Sequence, residues 1–280
     1  MSSGKNNPRQ RSSAGTRHAL LLAYGLYAVG LGVLNFFEGG FLVFAAGPAT
    51  EANFIGHITE AHASTLIGLG CVALGVRRLQ VNLRHIYSVI FLASLLGLLV
   101  AALSTPAVER GSMSAFMVYS QVLWAALFSW LYYRDAGEPS AAPMLDFPNA
   151  AGWVSLTTFA VLVVGSGLVW LLAPLKFAAA AAGSLAGASA AFAGQTRGVA
   201  DISLGMVAWT ALSPGNAPLR KPIIVSLLAA NALLAVAGLF AQLSVLYTPT
   251  RWVVEGLHLL WVAGFAGAWM QLPARGVSPG

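Results

Sequence analysis

Seven side chains in or beside apolar stretches of this sequence have the chemistry to bind a polar ligand or carry a proton: Glu60, His62, Gln121, Arg197, Asp201, Glu255 and His258. Glu60 and His62 belong to residues 56–70, GHITEAHASTLIGLG, where His57-x-x-Glu60-x-His62 opens a long apolar run. Imidazoles and a carboxylate in this order suggest metal ligation or proton transfer. The helical zinc motif HExxH is different, because its two histidines lie on one face, four residues apart, with the glutamate as base. His57 and His62 are five apart, about 140° around a helix. They share a site only if the chain bends at residues 56–59 or if His258 joins them, so no metal site is expected.

His62 and His258 are also the only pair that suits bis-histidine haem, since His85 lies at the opposite end of its run. No cofactor is predicted, with haem or a quinone as the minor alternative. Arg197 and Asp201 are spaced four apart, and Glu255 and His258 three apart, so each pair suits mutual neutralisation on one helical face. There is no nucleophile elbow, phosphate-binding loop or dinucleotide fingerprint. Lys176 lies outside any helix centre and does not suit a retinal-type Schiff base. Cys71 alone makes neither a disulfide nor a cysteine-based metal site. These residues favour a protein that is not an enzyme.

The elements that carry these groups follow from composition. The chain has 280 residues, 58% hydrophobic and 9% charged, with a mean hydropathy of +0.75. Soluble domains carry roughly 25% charged residues. So little charge cannot cover a surface in water, and the lipid bilayer is the expected solvent. The fold class expected is all-α: a polytopic membrane protein of eight transmembrane helices arranged as two parallel four-helix repeats. The net charge of +6 forms no basic groove interleaved with aromatics, which argues against nucleic acid.

Apolar runs near the roughly 20 residues that cross hydrocarbon predict spans at 19–37, 60–77, 85–104, 113–133, 153–173, 198–213, 223–247 and 252–271. Residues 1–18 read as a disordered basic cytoplasmic tail. The basic start, the first run and the small residues Ala45-Ala46-Gly47 also fit a signal peptide, but the first run has a later partner that cannot be one. With the N-terminus inside, the inner segments hold Lys5, Arg9, Arg11, Arg17, Arg77, Arg78, Arg84, Arg134, Arg220, Lys221 and Arg275. The outer segments hold Arg110, Lys176, Arg197 and Arg251. That asymmetry predicts a multi-pass protein of the inner (plasma) membrane with both termini cytoplasmic.

The halves match at an offset of about 137: Gln121-Val-Leu-Trp124 with His258-Leu-Leu-Trp261, Arg84 with Lys221, and Gly68 with Gly205. This predicts a first repeat over 19–134, an inner Pro-rich linker over 135–151, a second repeat over 152–272 and a short cytoplasmic tail over 273–280. Four spans per half keep both copies in one orientation, the parallel kind of repeat. The apolar outer connection at 174–196 is expected to touch lipid or the bundle, and that at 38–59 either does the same or is a simple surface loop. Gly183-x-x-x-Gly187 has the spacing of a helix-packing motif. The even-numbered spans then carry their polar groups near their outer ends. At this offset Glu60 aligns with Arg197, and the two are expected to meet between the halves.

Each half resembles the small four-helix membrane domains of the DoxX-like type. The likeness rests on a charged residue opening a Gly-containing second span (Glu60 with Gly68 and Gly70; Arg197 with Gly205) and on a basic inner turn before the third. It implies a four-helix unit without an assigned activity, and no functional residue carries over. Three functions stand as expectations: binding or transport of a small molecule at an outer-leaflet polar cluster between the repeats, a membrane oxidoreductase or quinone-binding subunit, and a non-catalytic assembly component. The partners expected are the lipid bilayer and a small-molecule ligand. Oligomeric state is left open.

Overall fold

A computed structural model describes residues 8–38, 51–104, 112–135, 150–176, 188–213, 216–243 and 249–272, which are helical with short joins and contain no strand. Eight long helices are found among them: α1 (Pro8–Glu38), α2 (Glu51–Val76), α3 (Arg84–Ser104), α4 (Ser112–Arg134), α5 (Ala150–Leu172), α6 (Ala188–Leu212), α7 (Ala217–Leu243) and α8 (Pro249–Gln271). The second outer connection between 177 and 187, including Gly183 and Gly187, lies outside the described residues, as do residues 39–50, the linker from 136 to 149 and the tail from 273. Among the described residues, six helices are long and apolar enough to cross a membrane: α1, α2, α3, α5, α7 and α8. This is the build of a multi-pass membrane protein. Within α6, Arg197 and Asp201 interrupt the apolar sequence.

Several helices start earlier than hydropathy predicts. Helix α1 begins at Pro8, inside the stretch expected to be a tail. Proline suits a first turn because its φ is already helical and its missing N–H has no partner there. Helices α2 and α6 begin at Glu51 and Ala188, about two and a half turns before the expected spans. Polar residues can extend a helix without extending the apolar run. Glu60 and Arg197 therefore lie well inside their helices and are not at the first residue of each.

Helix α2 packs on α1, α6 and α7, and α6 packs on α5, α2 and α3. The pairs α3–α4 and α7–α8 complete the bundle. The most enclosed spans are those of α2 and α7, 61% buried, against 28% for those of α5 and α8. Apolar side chains such as Leu26, Phe37, Leu172 and Leu260 stay exposed around the outside. Lipid removes any hydrophobic force between the helices, so close packing of small residues has to hold them together.

The closest seams are α1–α2 and α5–α6. A Cβ on Gly70 would sit 2.7 Å from Val29 Cγ2 and 2.8 Å from Gly25 O. A Cβ on Gly205 would sit 2.6 Å from Val164 Cγ2 and 3.2 Å from Ala160 O. Likewise Gly32 rests on Ile67 Cγ1 and Ala63 O, and Gly167 on Ile202 Cγ1 and Gly198 O. The contact that Gly205 makes is therefore the one made by Gly70. Gly68, which the sequence offset pairs with Gly205, instead faces Ala230 on α7 and Leu204 on α6.

Two aromatic clusters pack α1 against α4 and α5 against α8. Tyr24 meets Trp124 edge-on at 5.3 Å and Phe128 at 5.3 Å. Phe159 meets Trp261 at 5.0 Å and Phe265 at 5.5 Å, again edge-on. Both arrangements have the offset that ring quadrupoles favour.

Candidate functional site

The polar residues of α6 carry the centre of the site. Arg197 and Asp201 are one turn apart, which brings Arg197 Nε to 3.3 Å from Asp201 Oδ2. Both side chains are largely enclosed, at 17% and 9% exposure. Desolvation of each charge is offset only by the other and by neighbouring dipoles. Trp170 of α5 lies beside the guanidinium, 5.8 Å from its carbon to the ring centroid.

Helix α2 reaches the same carboxylate. The Thr65 hydroxyl lies 3.3 Å from Asp201 Oδ1 and 3.0 Å from Ala61 O. With one proton, the hydroxyl donates to one of these acceptors at a time. When it donates to Ala61, a common use of threonine within a helix, its lone pair is left to accept from a protonated Asp201. His62, one turn before Thr65 on α2, faces Arg197 and the Thr196 backbone. Its Nδ1 is buried without a hydrogen-bond partner among the described residues.

His258 approaches from α8. Asn231 of α7 donates through Nδ2 to Leu227 O at 2.8 Å, which fixes the amide orientation. Asn231 Oδ1 is then an acceptor, 3.0 Å from His258 Nδ1. The neutral imidazole therefore carries its proton on Nδ1 and keeps Nε2 as an acceptor. Trp261 packs edge-on against the ring at 5.6 Å, and the charge of Arg197 reaches it.

The two glutamates are buried elsewhere around α7. Glu60 is 5% and Glu255 4% exposed. The Glu255 carboxylate occupies the space that a side chain at Gly238 would fill. Gly68 beside Ala230, and Ala63 grouped with Ala237, define the α2–α7 register. That register brings Glu60 and Gly238 within about one helical turn in depth. His57 Nδ1 is 3.8 Å from Glu60 Oε2, an ion-pair distance if the imidazole is charged but too long for a hydrogen bond.

The structure thus joins Arg197, Asp201 and Thr65 directly and sets His62 against the Thr196 backbone, while His258 is held by Asn231 within the electrostatic reach of Arg197. Arg197 has Asp201 as its ion-pair partner, where the sequence offset suggested Glu60. Gln121 turns to α3, where its side chain covers Gly97. Sequence reasoning missed Thr65, Asn231 and Trp170. Asn231 left the clearest signal, as a lone amide in the middle of the apolar α7. No group of three or more metal-ligating side chains is found among the described residues. Comparison with family models, curated proteins and solved structures finds no match to this chain.

Proposed function

We propose that the chain is an eight-span integral membrane protein, made of two four-helix copies about a pseudo-twofold axis, that binds or transports a small polar molecule at the Asp201 centre between them. One observation carries the site: a single carboxylate is engaged from both halves, by Arg197 on α6 and by Thr65 on α2. His62 and His258 both lie within the electrostatic reach of the same arginine. Ionisable groups inside a membrane bundle are expensive and commonly serve an ion or substrate path.

The duplication draws support from the paired seams. Gly70 with Val29 and Gly205 with Val164 use the same atoms, at a spacing of 135 residues in both helices. Tyr24 and Phe159 keep that spacing, whereas their partners Trp124 and Trp261 are 137 apart. Two extra residues in the second half, between its second and fourth helices, account for the change. At 135, His62 and not Glu60 is the counterpart of Arg197, and these two face each other as residues near a twofold axis would. The α2–α7 contact is matched by α6–α3, with α2–α6 lying between the copies. The resemblance to DoxX-like domains supports the four-helix unit and says nothing about the ligand. Arg17, Arg77, Arg78, Arg84, Arg134, Arg220 and Lys221 support cytoplasmic termini in the inner membrane.

The test is a thermal-shift screen of the purified protein with small organic cations, carboxylates and neutral polyols. At least one class stabilises the wild type and fails to stabilise Asp201→Asn and Arg197→Gln. Silence from every class, with vesicles showing no uptake, would remove the reading. An assembly role is favoured instead by the closure of Arg197 on Asp201, and it predicts that these variants alter stability alone. A membrane oxidoreductase or quinone-binding subunit using His62 or His258 is separated by an absorption spectrum and by quinone extraction.

A further inference from the structure

Asp201 and Asp135 are both buried carboxylates, and their partners differ in kind. Asp135, just after α4, meets two donors: Tyr87 Oη at 3.1 Å and Arg134 Nε at 3.1 Å. Asp201 meets one such donor, Arg197 Nε, and one hydroxyl that has a second acceptor. Thr65 Oγ1 is 3.0 Å from Ala61 O and 3.3 Å from Asp201 Oδ1. The first is the better O–H···O distance, and the second is long for one. In this geometry the hydroxyl proton belongs to Ala61 O, and Thr65 turns a lone pair to Oδ1. Ser64 and Ser203 also bond back to their own helices, to Glu60 O at 2.9 Å and to Val199 O at 2.7 Å. Thr65 adds to that habit the carboxylate of another helix.

A lone pair facing a charged oxygen is repulsive, and a buried site has little water to screen it. A proton on Oδ1 turns the same contact into a hydrogen bond from Asp201 to Thr65. Rotation of the hydroxyl serves the other state, in which Thr65 donates to the charged carboxylate. No heavy atom has to move between the two. Arg197 stays charged in both. With Asp201 neutral, the guanidinium beside Trp170 loses its counter-charge, and a buried charge without one is costly.

Few titratable groups surround this carboxylate. Helix α6 packs on α2, α3, α5 and α7. Helix α5 has no titratable residue, and those of α3 (Arg84, His85, Tyr87) and α7 (Arg220, Lys221) lie in the first turn of each. Helix α2 carries Glu51, His57, Glu60, His62 and Cys71. Of these, His62 faces Arg197 and the Thr196 backbone, and His57 lies 3.8 Å from Glu60. His258 of α8 is within the electrostatic reach of Arg197.

We propose that the Asp201 centre binds a proton, on Asp201 Oδ1, and that Thr65 is the positioning residue that serves both the charged and the neutral carboxyl. The proton comes from water, and no electrons are transferred. Its arrival removes the counter-charge that closes Arg197, so proton occupancy and access to Arg197 are linked. This deepens the reading of the centre as a ligand site by naming one of its ligands.

The purified full chain in detergent is titrated from about pH 9 to about pH 4, a range that brackets carboxylates and imidazoles. Proton uptake and the infrared carbonyl band of a protonated carboxyl are followed together. The wild type takes up about one proton per chain more than Asp201→Asn and gains a carboxyl band that this variant lacks. Thr65→Val moves that band to higher wavenumber, because the acid has lost its acceptor, and Thr65→Ser leaves it in place. The two Thr65 variants report the same site if Asp201→Asn does not fold. Equal proton uptake and equal bands in the wild type and Asp201→Asn would overturn the proton site. A band present unchanged at every pH would mean a fixed proton and overturn the two-state role, and a band unmoved by Thr65→Val would overturn the part given to Thr65. A cation, carboxylate or polyol that stabilises the wild type while Asp201 does not titrate leaves the ligand site and removes the proton. Titration of Asp201 with no stabilising compound retains the proton and removes the small molecule.

Discussion

The hairpins α1–α2 and α5–α6 pack alike and are lined differently. Gly32 against Ile67 and Ala63 has its likeness in Gly167 against Ile202 and Gly198. Yet α2 turns His62 and Thr65 toward the neighbouring hairpin, whereas α6 turns Arg197 and Asp201. Helix packing in lipid depends on small residues at fixed spacing, and that requirement is the same in both hairpins. The polar residues face one another across α2 and α6, where complementary partners satisfy buried charge better than identical ones. An acid in one hairpin met by a hydroxyl in the other is such a complement.

The largest way to break this comparison is to remove one charge. Asp201→Ala leaves Arg197 enclosed without its counter-charge and costs about 3–5 kcal/mol. The double variant Arg197→Gln/Asp201→Asn recovers much of that loss in a detergent melting series. Additive losses would deny that the pair compensates internally. Next come the seams. Gly32→Leu and Gly167→Leu each force a side chain against backbone oxygen at a helix crossing, at about 1–3 kcal/mol or more. Equal losses sharpen the likeness of the hairpins, and a loss in only one breaks it.

Smaller effects probe the lining. Asn231→Leu removes the acceptor of His258 and costs about 1 kcal/mol. The nitrogen chemical shifts of His258 then lose the Nδ1-protonated signature. Thr65→Val keeps shape and deletes the hydroxyl at Asp201, at about 0.6 kcal/mol, the usual size of an interhelical hydrogen bond in a membrane. If Thr65→Val costs as much as Asp201→Ala, the hydroxyl is the main support of the carboxylate and the ion pair is secondary.

The all-helical build and the approximate position of the helices were legible in the sequence because long apolar runs leave little choice of solvent, and six of the described helices are long and apolar enough to span. Helix starts were not, since Pro8–His18 and Glu51–Thr59 extend helices with stretches that include polar and charged residues, and Ala188–Thr196 does so in a run so rich in small residues that its beginning is unmarked. The candidates Arg197, Asp201, His62 and His258 were legible as ionisable groups in apolar surroundings. Their partners were not. A spacing of 137 fits Trp124 with Trp261, but 135 fits Gly70 with Gly205. Sliding an α-helix by two residues turns a side chain about 200° around the axis, which is why a spacing of 137 pairs Arg197 with Glu60 and a spacing of 135 pairs it with His62.

By itself the sequence determined a helical chain that belongs in lipid, because 9% charge cannot solvate a surface in water. It also determined which few polar groups such a chain keeps. Only the tertiary structure decided that Asp201 is shared by α6 and α2, that Asn231 orients His258, and that Gln121 covers Gly97. Those choices depend on which faces of packed helices meet, and composition and period leave that register free until the glycine seams fix it.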